Sequence, residues 1–345
     1  MMEATDFDLP ILKLFEQARL PVESIDIQLC SGGGNNRTYK IKTQQGFFAL
    51  KKYFTQPADR RNRLAAEFAF LTYAQSATVQ QTPIPYCYDE EEGLALYEFI
   101  EGKPLRAVDI HDGEIGQAIA FFTALNQPLN TSKELLPMAS EACFSLQAHL
   151  DLIEARINGL QQIVPVSSED KEAMLLVRKL KTVWLDLVTD IQKSATASRL
   201  DFNLPLKQSL RCISPSDFGF HNALKMADCS LRFLDFEYAG WDDPAKMVGD
   251  FFAQLAVPVS EHYFDHFVEQ VMQPFEYPEF LIQRASLLRG AYQVKWCCIA
   301  LNVFIPMHMA RRRFANPYLN EIEMKQNQLL KAEKLLKNLE LYHYA

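Results

Sequence analysis

The chain has 345 residues, with 48% hydrophobic and 23% charged side chains, a composition that supports a large core without disulfides or structural metals. A formal charge of -8 argues against a general nucleic-acid or anionic-membrane surface, although a nucleotide needs only a few local cations. Seven cysteines, odd in number and without zinc-ligand spacing, read as free thiols of a reducing cytoplasm.

Glu3, Asp6 and Asp8 leave no basic region followed by an apolar run, so the beginning reads as no secretory signal. Residues Phe7 to Ala18 have the pattern of a short amphipathic helix. Ser24 to Leu29 alternates as a strand, with Ile25, Ile27 and Leu29 on one face. Ser31-Gly32-Gly33-Gly34-Asn35-Asn36 is a loop, and Arg37 to Lys42 a second strand. A turn at Gln44-Gln45-Gly46 leads to a third strand, Phe47 to Phe54. Pro57 breaks the chain before a helical period over Arg60 to Ala74. Pro83 and Pro85 mark a connection, and Leu94 to Ile100 reads as a further strand.

After Gly102 and Pro104 helical periods dominate, from about Asp112 to Ser194. An irregular loop at Ser214-Pro215-Ser216 and a short hairpin ending near Asp235 interrupt them, and helix resumes from Pro244. The most apolar stretch, Val294 to Ile305, contains Lys295 and Asn302 and stops before Pro306. It is too short to span a bilayer and reads as a buried helix. The layout is α+β: a β-rich residues 1–100 and a helical residues 101–345, joined around Glu98 to Leu105.

Four elements carry chemistry. Gly32, Gly33 and Gly34 between two strands let backbone N–H groups approach phosphate oxygens, although a triple glycine alone is more often a plain turn. Lys51 follows on the next strand, on the same face as Phe47, Ala49 and Tyr53, in reach of a nucleotide's phosphates. Its bland alternative is a solvated edge lysine. Glu67 shares the apolar stripe of Leu64 and Leu71 and so needs a cation. Lys51 is the natural one, with Arg60, Arg61 or Arg63 as the alternatives.

The sharpest signal is Ser216-Asp217-Phe218-Gly219-Phe220-His221-Asn222, followed by Leu234-Asp235-Phe236-Glu237. A hairpin over Ala223 to Leu234 brings Asn222 and Asp235 to its open end. One amide oxygen and one carboxylate there suit magnesium, a hard cation that keeps some of its waters. Asp217 projects into the same mouth and is placed to take a proton from an attacking hydroxyl.

From about Ile25 to Phe252 this set resembles the aminoglycoside phosphotransferase and choline kinase family. The likeness is sharpest at Asp217 to Asn222 and at Leu234-Asp235-Phe236-Glu237-Tyr238-Ala239-Gly240-Trp241. It implies a protein-kinase-like two-lobed fold and an ATP- and Mg2+-dependent kinase of small hydroxyl compounds. Asp217 is then the base, Asn222 and Asp235 the metal ligands, and Lys51 a phosphate ligand anchored by Glu67. Leu96 to Gly102 resembles the lobe connection, where the backbone around Glu98 and Ile100 would hold adenine. Two places depart from the pattern: Pro215 and Gly219 stand where histidines are usual, and Met247 where a bracing aspartate is, with Asp250 three residues on. A protein kinase fits less well, because Asp217 lacks a preceding arginine and Glu237 occupies the glycine place of D-F-G.

Glu237, Trp241 and Asp242 are expected to border the acceptor. Acids with a tryptophan suit an ammonium or a sugar face, and core packing is the equal alternative for Trp241. His221 reads as orienting the loop, and Trp296 beside Lys295 as core in preference to a far wall of the site. The expected partner is a small polar acceptor, with sugars favoured. No nucleic-acid or membrane partner is expected. The competing reading is a non-catalytic nucleotide-binding regulator with a decayed kinase fold, which Pro215 and Met247 favour slightly.

Overall fold

The computed structural model describes residues 5–30, 35–54, 61–127 and 136–343. Helix α1 (Thr5–Gln17) precedes β1 (Asp26–Leu29), β2 (Arg37–Thr43) and β3 (Gly46–Lys52). Helix α2 (Arg63–Ser76), β4 (Pro85–Asp89) and β5 (Leu94–Glu98) follow. The strands form one antiparallel sheet in the order β1-β2-β3-β5-β4. Alternation along the strands sorts side chains between two faces. Phe48, Leu50, Leu94 and Leu96 pack with Ile11, Leu14 and Phe15 of α1. Tyr53, Ala95 and Tyr97 face the other way, with Phe70, Leu71 and Tyr73 of α2. Lys51 lies on this second face, toward α2.

Two boundaries differ from expectation. Helix α2 starts at Arg63 because Asn62 caps it, its side chain accepting from the Ala65 N–H at 3.0 Å. Arg60 and the glycines Gly32, Gly33 and Gly34 lie outside the described residues. The segment expected as a connection at Pro85 is β4. Proline is tolerated there because it opens an edge strand.

The second lobe begins with β6 (Lys103–Pro104), α3 (Asp112–Leu125), α4 (Leu146–Gly159) and α5 (Ser168–Ala197). Then come β7 (Cys212–Ser214), the hairpin β8 (Ala223–Lys225) and β9 (Leu231–Phe233), β10 (Gly240–Asp242) and α6 (Pro244–Ala253). Helices α7 (Phe264–Met272), α8 (Pro278–Leu301), α9 (Pro306–Ala315) and α10 (Glu321–His343) complete the chain. The expected apolar segment is the end of α8, which stops at Leu301 before Pro306 opens α9. Helix α8 runs through the middle, packed against α4, α5, α6, α7 and α10. At Gly249 of α6 an added Cβ would lie 2.4 Å from the Tyr292 ring of α8, so only glycine allows this approach. The architecture is α+β, an antiparallel sheet lobe joined to a larger helical one. No helix among the described residues is long and apolar enough to cross a membrane.

Candidate active site

Alternation on β3 points Lys51 at α2, where Glu67 is buried on the facing stripe. The Lys51 Nζ lies 2.6 Å from Glu67 Oε2 and 2.5 Å from Asp235 Oδ1. Tyr53 donates its hydroxyl to the same Glu67 oxygen at 2.5 Å, and Tyr97 lies 2.8 Å from Tyr53. The other Glu67 oxygen accepts the Phe236 N–H at 3.3 Å. One buried carboxylate thus ties the sheet lobe to the segment after β9. Burial opposes a charged lysine here, but Asp235, Glu67 and Glu237 outweigh it and push the Lys51 pKa well above its ordinary value.

The hairpin brings Asn222 and Asp235 together as expected: Ala223 pairs with Phe233, and the Leu234 N–H donates to Asn222 O at 2.8 Å. Asp217 sits in a turn closed by its own N–H on Pro215 O at 2.9 Å, with Ser216 at φ 65° between them. Asp235 also has φ 65°. Two non-glycine residues in the left-handed region, one beside and one within the proposed set, are held there by surrounding structure at a cost in backbone strain. The Ser216 hydroxyl accepts from Lys246 Nζ at 3.2 Å.

Asn222 gives its amide nitrogen to Asp217, 3.0 Å from the carbonyl and 3.3 Å from Oδ2, which turns its amide oxygen away from that residue. His221 Nε2 lies 3.2 Å from Asp217 Oδ1. Burial disfavours the Asp217 carboxylate, but His221, Asn222 and Lys295 hold its pKa below the usual value. Burial likewise disfavours a charged His221, but Asp217 and Asp235 outweigh it and raise the imidazole's pKa. A Cβ on Gly219 would lie 2.7 Å from His221 Nδ1, so the glycine found in place of the usual histidine makes room for the His221 ring.

Asp217, Asn222 and Asp235 open on a cavity of about 650 Å³ between the lobes. Its lining includes Asn35, Arg61 and Tyr238 together with residues of α4, α8, α9 and α10. Among the described residues no group of three or more His, Cys, Asp and Glu is gathered as a metal site. The Asn222 oxygen and the partly exposed Asp235 carboxylate do fit a cation that draws its remaining ligands from water and phosphate, as Mg2+ does.

The other expected residues divide. Glu98 is spent on structure: its carboxylate takes Arg232 at 2.7 Å and the Ile84 N–H at 3.2 Å, and its own N–H donates to Ile84 O. The Ile100 side chain is buried. Glu237 is not on the cavity lining. It is buried and accepts from Asn35 at 2.8 Å and Asn36 at 2.5 Å, fastening the strand after the glycine segment to the helical lobe. Asp242 is also off the cavity lining, fully buried with Lys246 Nζ at 2.6 Å. Trp241 packs against the core from β10. The expected pocket of acids plus Trp241 therefore does not form.

Trp296, read as core, instead lines the cavity with Lys295. Asp250 holds both, at 2.8 Å from Lys295 Nζ and 2.8 Å from Trp296 Nε1. Asp250 thus braces the cavity wall, while Met247 is core. Lys295 and Trp296 fall in residues 291–301 of α8, none of which is exposed, so no periodicity there separates wall from core.

Residues 26–157 match the model of the Phosphotransferase enzyme family, as the sequence motifs led one to expect. No curated protein matches the chain in sequence. Among solved structures, a choline/ethanolamine kinase family protein from Mesorhizobium loti is 16% identical with TM-score 0.58, covering 95% of this chain and 94% of that one. A choline kinase from Streptococcus pneumoniae is 17% identical with TM-score 0.56 over 95% and 98%. A spectinomycin phosphotransferase in complex with ADP and spectinomycin is 11% identical with TM-score 0.58 over 95% and 97%. The fold is kinase-like, with a sheet lobe and a larger helical lobe.

Proposed function

We propose that the protein transfers the γ-phosphoryl group of ATP to a hydroxyl of a small polar molecule. The observation that carries this reading is the convergence of Asp217, Asn222 and Asp235 on one cavity wall, with Asp235 joined to the Lys51–Glu67 pair. Residues 1–100 form the nucleotide lobe in this reading, and residues 101–345 carry the catalytic loop and acceptor site. Gly32, Gly33 and Gly34 cradle phosphates, and the backbone from Glu98 to Ile100 receives the adenine. A spectinomycin phosphotransferase crystallised with ADP supports such a use of the fold. Seven free cysteines fit a cytoplasmic setting.

Phosphoryl transfer asks for positioning and charge neutralisation more than covalent chemistry. Lys51, kept charged and extended by Glu67, binds phosphate oxygens. Asn222 and Asp235 would hold Mg2+, which neutralises triphosphate charge when bound. Asp217 orients the acceptor hydroxyl and takes its proton. The Asn222 amide and the His221 ring fix the Asp217 carboxylate in direction.

One observation favours a second reading, a non-catalytic nucleotide-binding regulator. Lys51 with Asp235 and His221 with Asp217 are self-satisfied pairs that need no ligand to hold them. Steady-state ADP formation with ATP, Mg2+ and a panel of hydroxyl compounds separates the two. Turnover that depends on an acceptor and disappears in Asp217→Asn supports the kinase. Metal-dependent ATP binding without turnover on any acceptor supports the regulator.

A further inference from the structure

Lys246 has no part in the transfer chemistry proposed above, yet it is a fully buried lysine close behind it. It lies in the first turn of α6, and its ammonium meets Asp242 at 2.6 Å, Ser216 at 3.2 Å and Asp250 at 3.5 Å. Burial opposes its charge, but Asp242 and Asp250 outweigh it and raise the lysine's pKa. A buried ion pair adds little net stability over apolar side chains of the same volume, so stability alone does not account for one. What the ammonium adds is a directed donor, and it donates to the hydroxyl of the residue just before Asp217.

We propose that Lys246 is a positioning residue for phosphoryl transfer: through the Ser216 hydroxyl it holds the 215–217 turn in the conformation that presents Asp217 to the cavity, a role that rests on the kinase reading above and deepens it.

The surrounding geometry agrees. Strand β7 leads straight into the turn and β10 runs beside it, with Asp242 opposite Cys212 and Gly240 opposite Ser214. Ser214 Oγ accepts the Ser216 N–H at 2.9 Å, and Pro215 O accepts the Asp217 N–H at 2.9 Å. Between these bonds Ser216 stands at φ 65°, a left-handed backbone that a non-glycine residue keeps only when its surroundings impose it. Lys246 takes hold of that same residue by its side chain. The base of Lys246 is fixed in turn. Asp243 caps α6 by accepting the Ala245 N–H at 2.8 Å, and Arg284 of α8 and His149 of α4 hold Asp243 at 2.5 Å and 3.2 Å. The Met247 side chain beside it is core, so the contact with the turn falls to Lys246. Asp217 is thereby tied, through one hydroxyl, to the buried centre of the helical lobe.

Lys246→Met alone is a poor test, because it also strips Asp242 of its cation. Ser216 variants leave that pair intact. Ser216→Ala should lower kcat by about tenfold or more, the worth of one hydrogen bond to a charged group, with KM for ATP and the melting temperature nearly kept. Ser216→Gly accepts the left-handed backbone without strain and should lose as much kcat, because the hydroxyl is gone. In an Asp217→Asn background neither change should cost more, since the brace acts through Asp217. A direct contact of Ser216 with substrate would add its loss to that of Asp217→Asn. Wild-type kcat in Ser216→Gly, or additive losses with Asp217→Asn, overturns the proposal.

A second measurement needs no turnover. The N–H groups of Asp217 and Asn222, bonded to Pro215 O and Gly219 O, report the order of the loop by hydrogen exchange. Both should exchange about tenfold or more faster in Ser216→Ala and Ser216→Gly than in the wild type. Equal exchange in the three proteins overturns the brace. Faster exchange in the variants, with no ADP formed by the wild type from ATP, Mg2+ and the same panel of hydroxyl compounds, supports the brace and sinks the kinase reading instead.

Discussion

The Lys51 ammonium lies 2.5 Å from Asp235 Oδ1, so the residue proposed for the phosphates and the one proposed for the metal neutralise each other directly. A metal-bound triphosphate would have to insert between them. Lys51→Ala should therefore weaken Mg2+-ATP binding by about tenfold or more, the loss of one or more charge-assisted hydrogen bonds. Asp235→Asn should weaken it too and make it less sensitive to EDTA. Calorimetry on the three proteins checks this, and tight binding indifferent to both EDTA and Lys51→Ala would refute the arrangement.

Asp217→Asn should lower kcat by roughly 10²–10⁴-fold while leaving ATP affinity near wild type, because its charge matters as the hydroxyl proton is lost. Asp235→Asn should hurt both. His221→Ala should be milder than either. Steady-state rates with nucleotide titration read all three, and near-normal turnover in Asp217→Asn with loss in His221→Ala would move the base to the histidine.

The raised pKa of His221 has a pH consequence with a definite sign. Below it, the imidazolium engages Asp217 Oδ1 and competes for the proton-accepting carboxylate. The kcat/KM should rise with pH through a value above the ordinary imidazole pKa of about 6.5, and His221→Asn should remove that limb. Stability runs the other way. A pKa raised on folding gives stability that is full below the unfolded value and lost as pH rises through the folded one. Urea midpoints should show His221→Asn costing more at acidic pH than at alkaline pH, and an equal cost at both would sink the assignment.

Gly219→Ala should act through His221. The added Cβ would lie 2.7 Å from its Nδ1 and 2.9 Å from its Cε1, so the ring must leave Asp217. The variant should share the kinetic and pH phenotype of His221→Asn, and the double variant should be no worse than either single one. Additive losses in kcat would show that the glycine acts in some other way.

Lys246→Met should be a stability variant. Lys246 is fully buried, 2.6 Å from Asp242 and 3.5 Å from Asp250, and it also donates to Ser216. Removing it leaves the buried Asp242 carboxyl, whose pKa burial already raises to about 6, without its cation, a loss of about 3–5 kcal/mol for breaking such pairs. Urea unfolding reads this loss, and a change below ~1 kcal/mol would mean that the pair contributes little.

Much of the molecule is legible in local pattern alone. Alternation on β3 puts Lys51 on the face of α2 that carries Glu67, because strand and helix periods decide which side chains share a face. The Asp217–Asn222 spacing and the hairpin after it bring Asp235 back to the same mouth for the same reason. Where local pattern is silent or ambiguous, expectation and fold part. Pro85 conceals an edge strand, and Trp296 looks like core on the stretch 291–301 of α8, which has no exposed face.

By itself the sequence determined the α+β division, the order of the proposed site residues and the facing of Lys51 toward the helix of Glu67, all consequences of spacing along short segments. Only the tertiary structure decided what lines the cavity beside Asp217. Glu237 and Asp242 follow Asp235 closely in the chain, yet Asn35, Asn36 and Lys246 claim them from other elements and bury them. The cavity is instead lined by Arg61, Arg156, Arg311, Arg312 and Lys331, far apart in the chain and gathered from the segment before α2, from α4, α9 and α10, of which α4 and α10 pack on α8. Charge adds up through space, and no spacing along the chain records which distant cations will share one cavity.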